Sequence, residues 1–464
     1  MIYFKDKLIH FIGIGGIGMS AIAEDLQAMG IRVQGSNDVE NDSTRRLKKR
    51  GIPVFIGQKD PSVLNNVDVV IISSAIHSDN VELQEATRRG LPIGHRAEML
   101  AQLMRYKQGI AVAGTHGKTT TSSMVSHLMI TGGFAPSCII GGLMNNYQTN
   151  SILGKSDWMV VEADESDGSF LRLNKTVSVV TSMDPEHLDY YGSVEKMNLA
   201  YLHFLQTTSF YGFCVVCTDH PVVKETVQNV KNRHIISYGL NDDAFIKATN
   251  IQIKADEIHF DIVKGDIVYP DFVLHMFGRH NVLNALAAFA IVDELGMPID
   301  KIRAGLASFE GVQRRFTKRG EVDGILIYDD YAHHPEEIKA TLRAAKEAIP
   351  NNKVIAIFQP HRYSRLSDLM GEFTQAFNNA DILLVTDVYP AGEKPIKNID
   401  KENFIKKVIH QNAMALKDEN DMVNKIADMA SPGDLVIGLG AGSISSWIKA
   451  LPENLKQRKD KNVL

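Results

Sequence analysis

The chain has 464 residues, of which 44% are hydrophobic and 23% charged, and a formal net charge of -5. That length exceeds what one growing core accommodates, and at about 150 residues per domain it predicts three domains. A net negative chain with no dense Lys/Arg block argues against a nucleic-acid partner, and no apolar run approaches the roughly 18 residues of a membrane span.

The amino terminus, MIYFKDKLIHFIGIGG, carries its apolar stretch into glycines rather than a cleavage site, so no secretion is expected. Cys138, Cys214 and Cys217 are too few for a disulfide framework and point to a reducing, cytoplasmic address. Cys214 and Cys217 form a CxxC inside the strand-like run GFCVVC, with no second pair or His motif to complete a zinc site, and read as strand residues.

In chain order, LIHFIGIG reads as a buried strand, followed by a glycine turn and a helix over 19–29. IRVQG, PVFIG, VDVVIISS and LPIG are further strands, separated by helices near 43–50 and 82–89, which makes a Rossmann-like parallel unit through about residue 105. A second series opens with GIAVAG, a glycine turn and a helix over 118–131, then DWMVVEAD and KTVSVVTS, again as a parallel sheet. Between Phe245 and Met276 short alternating runs predict a small antiparallel insertion before a helix over 281–295. GILIYDD, KVIAIF, DILLVTD and DLVIGLG then form a third, Rossmann-like series. The fold class is α/β, with expected domains 1–105, 106–316 and 317–464.

The chemistry gathers at strand tips, where open α/β sheets bind ligands. In AVAGTHGKTTT a buried strand breaks into a turn with Gly114 and Gly117, and a helix resumes at Lys118. A helix end contributes only about 0.3 to 1 kcal/mol toward an anion, so a triphosphate also needs backbone N–H groups, the Lys118 cation and a metal near Thr119. Val112 stands where a strict P-loop has its first glycine, so this is a shortened variant. MVVEADESDGS offers Glu162, Asp164, Glu165 and Asp167, with Glu162 at the strand tip the first choice for Mg²⁺. MDPEHLDYYG adds Asp184, Glu186, His187 and Asp189, of which His187 suits a second metal ion or a substrate. His280 and Asn281 begin a helix, where Asn281 serves either a base edge or a cap, and Arg314 and Arg315 match phosphate oxygens. YDDYAHHP and FQPHRYSR place Asp330, His333, His334, His361, Arg362 and Arg365 after successive strands, which fits substrate capture. GIGGIG, residues 13–18, satisfies GxGxxG, but the acidic residue that holds a ribose is missing where the next strand runs into Gly35, Ser36 and Asn37. A nucleotide diphosphate other than NAD fits better.

These motifs together resemble the Mur ligase family along nearly the whole chain. GTHGKTTT resembles its ATP loop, EADESD its magnesium loop, GRHN its adenine-binding helix start, RRF its arginine motif and DDYAHHP the opening of its carboxyl-terminal domain. HFIGIGGIGMS, SSAI, HRAEML, FQPHRYSR, DVYPAGEKPI and GAGSIS are similar to those members that act on UDP-N-acetylmuramate and L-alanine.

The resemblance implies an ATP- and Mg²⁺-dependent ligase that joins L-alanine to the lactyl carboxylate through an acyl phosphate, in peptidoglycan precursor synthesis. It implies Gly114, Thr115, His116, Gly117, Lys118, Thr119, Thr120, His280, Asn281, Arg315 and Asp330 for ATP, and Thr119, Glu162 and His187 for metal, with Lys118, Glu162 and His187 catalytic. Gly13, Gly15, Gly16, Gly18, Ser36, Ser73 and Ser74 would hold the UDP-sugar, and His333, His334, Arg362 and Arg365 the amino acid. Many relatives read Asn, Glu and Asp where this chain has Ser182, Asp184 and Glu186. A monomer or homodimer, with no nucleic acid and no membrane, completes the expectation. The alternatives are a ligase that attaches a preformed tripeptide to the same sugar nucleotide, an NAD dehydrogenase, and a nucleotide-binding regulator.

Overall fold

Apolar strands alternating with helices build three sheets in a computed structural model that describes residues 4, 6–73, 75–254 and 257–462. The chain forms two compact units, one of Met1–Thr249, Asp261–Phe272 and Leu283–Phe309, the other of Asn250–Phe260, Val273–Val282 and Glu310–Leu464.

In the first unit, one sheet is wholly parallel in the order Val54–Ile56, Arg32–Asn37, Leu8–Ile12, Val69–Ile72, Ile93–His95. The order reverses direction at Leu8–Ile12, which sets a ligand crevice at that strand's carboxyl end. Gly35 is required beside it, because a Cβ there would lie 2.6 Å from the Phe11 carbonyl oxygen.

Among the described residues the second sheet has ten strands and in this unit runs His234–Gly239, Phe213–Cys217, Val177–Val180, Gln108–Ala113, Trp158–Glu162, Ser137–Met144, Thr149–Ile152, with Ile246–Lys254 joining it parallel beside His234–Gly239. It is parallel as far as Ser137–Met144, whose pairing with Thr149–Ile152 is antiparallel. The hairpin is antiparallel because a connection as short as residues 145–148, with Gln148 at φ 51°, cannot make a parallel crossover. Cys214 and Cys217 lie buried on the strand Phe213–Cys217. The alternating runs after Phe245 form the strands Ile246–Lys254, Glu257–Lys264 and Ile267–Leu274.

In the second unit, the sheet orders Thr317–Val322, Ile325–Asp330, Leu435–Leu439, Val354–Phe358, Ile382–Val385, Ala413–Ala415. All its pairs are parallel except the first, where Asp323 and Gly324, both at positive φ, make the two-residue hairpin that antiparallel strands prefer. No described helix is long and apolar enough to cross a membrane.

One apolar cluster in the first unit runs from Ile9 and Phe11 through Met99 and Leu100 to Val161, Phe170 and Tyr201, so its two sheets share a core. Helix Ile17–Ala28 sits at that seam against the Ser137–Met144 and Thr149–Ile152 strands. There Ser151 Oγ donates to Asp25 at 3.1 Å, and Arg46 donates to Glu24 at 2.8 Å and to Asn150 at 3.1 Å. Asp25 is only 3% exposed. Burial pushes its carboxyl up from 3.8 to about 7; the Ser151 hydrogen bond, Arg50 and Lys107 oppose the rise and Glu24 adds to it. A carboxyl raised in the folded state binds a proton that the unfolded chain has already lost, so stability falls as pH climbs from about 4 toward 7. Asp25→Asn is therefore expected to be more stable than the parent at pH 8, by up to roughly 4 kcal/mol, with the gap closing toward pH 4 in denaturant melts.

Candidate active site

The strand Gln108–Ala113 ends at Gly114, where φ is 133° and an added Cβ would lie 2.0 Å from Thr181 Oγ1. Only glycine lets the loop run so close to the next strand's tip. Gly117, at φ 79°, caps helix Lys118–Gly132 without a side-chain hydrogen bond, which leaves the helix's first N–H groups turned to the loop. Polar bonds from the neighbouring strand end pin the rest. Thr115 Oγ1 lies 2.8 Å from Ser182 Oγ and 3.3 Å from Asp184, the His116 amide donates to Ser182 Oγ at 2.9 Å, and Thr181 Oγ1 donates to the His116 carbonyl. Asp184 also meets the His116 ring at 3.3 Å and the His220 ring at 3.2 Å. Thr119 and Thr120 follow in the first turn of the helix, with Thr120 buried.

Lys118 turns back under this loop. Its Nζ donates to the Gly114 carbonyl at 2.5 Å, to the Thr115 carbonyl at 3.2 Å and to Glu165 Oε1 at 2.8 Å. Burial alone would pull the ammonium down, but Glu165, with the more distant Glu162 and Glu186, more than reverses that and holds it charged. Burial pushes the Glu165 carboxyl up, and the Lys118 ammonium beside it opposes that rise.

Glu162 is at the tip of Trp158–Glu162 as expected, with one oxygen accepting the Gly141 amide at 2.9 Å. The carboxylate that lies against Lys118 is instead Glu165, three residues on. It also lies 3.9 Å from His187 Nε2, and Glu165, Glu186 and His187 each offer a ligand atom within 4.8 Å of the others. His187 holds this place at φ 55°, a left-handed conformation uncommon outside glycine and often found at functional loops. The side chain of Asp189 lies outside the described residues.

In the glycine loop, Gly13 has φ 81°, and Gly16 caps helix Ile17–Ala28 with no side-chain hydrogen bond. Asn37 stands where a dinucleotide site keeps its acidic residue, and its Oδ1 accepts the Gly15 amide at 3.0 Å. Ser36 supports the loop. Its carbonyl accepts the Gly13 and Ile14 amides, and its hydroxyl turns inward to Glu82 at 2.5 Å. Ser73 closes a turn by accepting the Ile76 amide, and Ser74 lies outside the described residues. Arg96 was not among the expected site residues, yet its guanidinium approaches the Gly18 backbone and reaches Asp164 at 3.4 Å. The signal was present, since an arginine stands just after the strand Ile93–His95 of the same sheet.

In the second unit, His280 and Asn281 start helix Arg279–Glu294, with Asn281 Nδ2 donating to the Phe277 carbonyl at 2.7 Å. Burial, aided by Arg315 and Arg343, lowers His280 to about 4. Asp330 uses its oxygens on the Phe316 and Ala332 amides, both at 2.7 Å, fixing the turn that carries Arg314 and Arg315. His334 caps helix Pro335–Ala348, accepting the Glu336 amide, and is buried. His333, His361, Arg362 and Arg365 do come together. The His333 and His361 rings are 5.8 Å apart, Arg365 lies 3.3 Å from His361 Nδ1, and Arg362 adopts φ 70° at the start of its helix. Burial, with His333 and both arginines beside it, holds His361 neutral down to about 3. Such a basic cluster suits a carboxylate.

Comparison with known proteins agrees with this arrangement. Residues 8–108 match the Mur ligase family catalytic domain, 112–292 the Mur ligase middle domain and 314–442 the Mur ligase glutamate ligase domain. The chain is 48% identical to the UDP-N-acetylmuramate--L-alanine ligase of Paramagnetospirillum magneticum, over 97% of this chain and 96% of that one. It is 49% identical to the protein of the same name from Ruegeria pomeroyi, over 97% of each. Among solved structures, UDP-N-acetylmuramate-alanine ligase MurC from Thermotoga maritima superposes with a TM-score of 0.81 at 30% identity, covering 97% of this chain and 99% of that one. With three consecutive family regions and near full-length relatives, the chain belongs to the Mur ligase family.

Proposed function

We propose that this protein joins L-alanine to the lactyl carboxylate of UDP-N-acetylmuramate at the expense of ATP, releasing ADP and phosphate. The carrying observation is the meeting of three strand-end loops, which sets Lys118, Glu165, Glu186 and His187 around one glycine turn. The near full-length likeness to proteins named UDP-N-acetylmuramate--L-alanine ligase supports the choice of substrates.

The residues divide the work by charge. The amides of the turn from Gly114 to Thr120 and the Lys118 ammonium would surround the transferring phosphoryl group, where preorganised donors stabilise developing charge. His280, Asn281, Arg315 and Asp330 are proposed for the rest of the nucleotide. Thr119, Glu162 and His187 are proposed for Mg²⁺, and beside His187 the structure adds the carboxylates of Glu165 and Glu186, hard oxygen donors of the kind such an ion prefers. Bound there, Mg²⁺ would neutralise phosphate charge. Gly13, Gly15, Gly16, Gly18, Ser36, Ser73 and Ser74 form the proposed UDP-sugar set, with Ser36 acting through the loop it supports. Arg362 and Arg365 would take the amino-acid carboxylate, with His333 and His334 shaping the pocket. Phosphorylation of the lactyl carboxylate gives an acyl phosphate, and the alanine amine displaces phosphate to form the amide. Domains 1–105, 106–316 and 317–464, a cytoplasmic address and a monomer or homodimer complete the proposal.

Phosphate release with UDP-N-acetylmuramate, ATP and either L-alanine or a preformed tripeptide tests the reading directly. Turnover is expected with L-alanine, and turnover with the tripeptide alone would replace this assignment. In the same assay Lys118→Ala should lower turnover by about 10² or more. Arg365→Ala should raise KM for L-alanine by about tenfold or more while leaving KM for ATP nearly unchanged, because a hydrogen bond between charged groups is worth about 1.5 to 3 kcal/mol.

A further inference from the structure

Glu165 faces two ways. Its Oε1 takes one of the three hydrogen bonds that Lys118 donates, the other two going to loop carbonyls. Its Oε2 is buried, in a residue only 1% exposed, and accepts no hydrogen bond among the described residues. Leaving a buried carboxylate oxygen without a donor costs free energy unless a partner arrives. Beside it Glu186 is a second carboxylate, and His187 Nε2 lies 3.9 Å from Glu165 Oε1 and 3.9 Å from Glu186 Oε1. Two carboxylates and an imidazole drawn this close match what a divalent cation binds.

We infer that Glu165 is a positioning residue that couples cation binding to release of Lys118, holding the lysine through one oxygen until a divalent cation with Glu186 and His187 takes up its charge. The inference rests on the ATP-site reading above. A phosphate approaching the loop must take Lys118 from Glu165, and the two anions compete for one ammonium. A cation bound by Glu165 together with Glu186 and His187 would draw off that negative charge, loosen the Lys118 contact and leave the ammonium free for phosphate. Metal and nucleotide then strengthen each other's binding, and thermodynamic linkage makes the effect reciprocal.

Binding measurements on the whole protein separate this role from simple support of the fold. Mn²⁺ affinity is read by electron paramagnetic resonance without nucleotide, and ADP affinity by calorimetry in EDTA. Glu165→Gln should weaken Mn²⁺ by tenfold or more and, with the competing charge gone, tighten metal-free ADP by about fivefold. A purely structural residue would not improve any binding step when replaced. Glu186→Gln, which leaves the Lys118 contact in place, should weaken Mn²⁺ by tenfold or more while metal-free ADP stays within twofold of the parent. The inference is overturned if Glu165→Gln binds ADP no tighter in EDTA, or if Glu186→Gln leaves Mn²⁺ affinity unchanged; the second test stands even where the Glu165→Gln variant does not fold. A parent protein that makes the amide while these shifts are absent removes the coupling alone. The shifts without amide formation uphold the coupling and remove the substrate assignment.

Discussion

A buried lysine must keep its charge in a place with little water, and that requirement organises the loops around Lys118 in the first unit. Taking an ammonium out of water is costly, and it survives only beside a carboxylate and hydrogen-bond acceptors. Lys118 has both, from Glu165 and from the carbonyls of its own loop. The strand order makes this possible. Gln108–Ala113 lies between Val177–Val180 and Trp158–Glu162, in a parallel register that sets Ala113 beside Val180 and Val112 beside Glu162. All three strands therefore end at one level and deliver their loops to one point.

Close approach of those loops exacts particular backbone choices. Gly114 is there because Thr181 and Ser182 leave no room for a side chain. His187 and Arg362 are left-handed without being glycine, each at the start of a loop helix that presents charge. Residues in such conformations are held by the surrounding structure, and here the hold is visible. The Arg362 amide donates to the Tyr389 carbonyl at 2.9 Å, and the His187 carbonyl accepts the Tyr190 and Tyr191 amides.

The strands, their tips and the shortened phosphate loop were legible in the sequence because buried parallel strands are long apolar runs and their ends are marked by glycine and charge. Which carboxylate meets the lysine was not. Glu162, at the strand tip, is the first choice for Mg²⁺, but the chain then leaves the strand. The Ser166 amide bonds to the Asp164 side chain and the Gly168 amide to the Glu165 carbonyl, a turn that brings Glu165 back to the loop. No spacing rule announces that turn. Ser36, Asp330 and His334 likewise hold backbone amides or buried partners in the fold, a structural use that the sequence does not announce. An acceptor's chemistry is the same whether it serves a ligand or a loop, and only the placement of neighbours separates the two.

That distinction also decides how the glycine-rich turn at residues 13–18 should be understood. A dinucleotide site keeps an acidic side chain at the end of its second strand to receive two ribose hydroxyls. Here Asn37 occupies the position, and its amide group is committed on both sides, accepting from Gly15 and donating to the Val39 carbonyl at 2.7 Å. Turned toward the loop it supports, Asn37 offers no carboxylate to a ribose. What the turn does present is the uncapped start of helix Ile17–Ala28 and the Arg96 guanidinium beside Gly18. Backbone amides, a helix dipole and an arginine suit the charge of a diphosphate, which a nicotinamide dinucleotide also carries, so it is the absence of a ribose-binding carboxylate at Asn37 that separates the loop from a nicotinamide dinucleotide site.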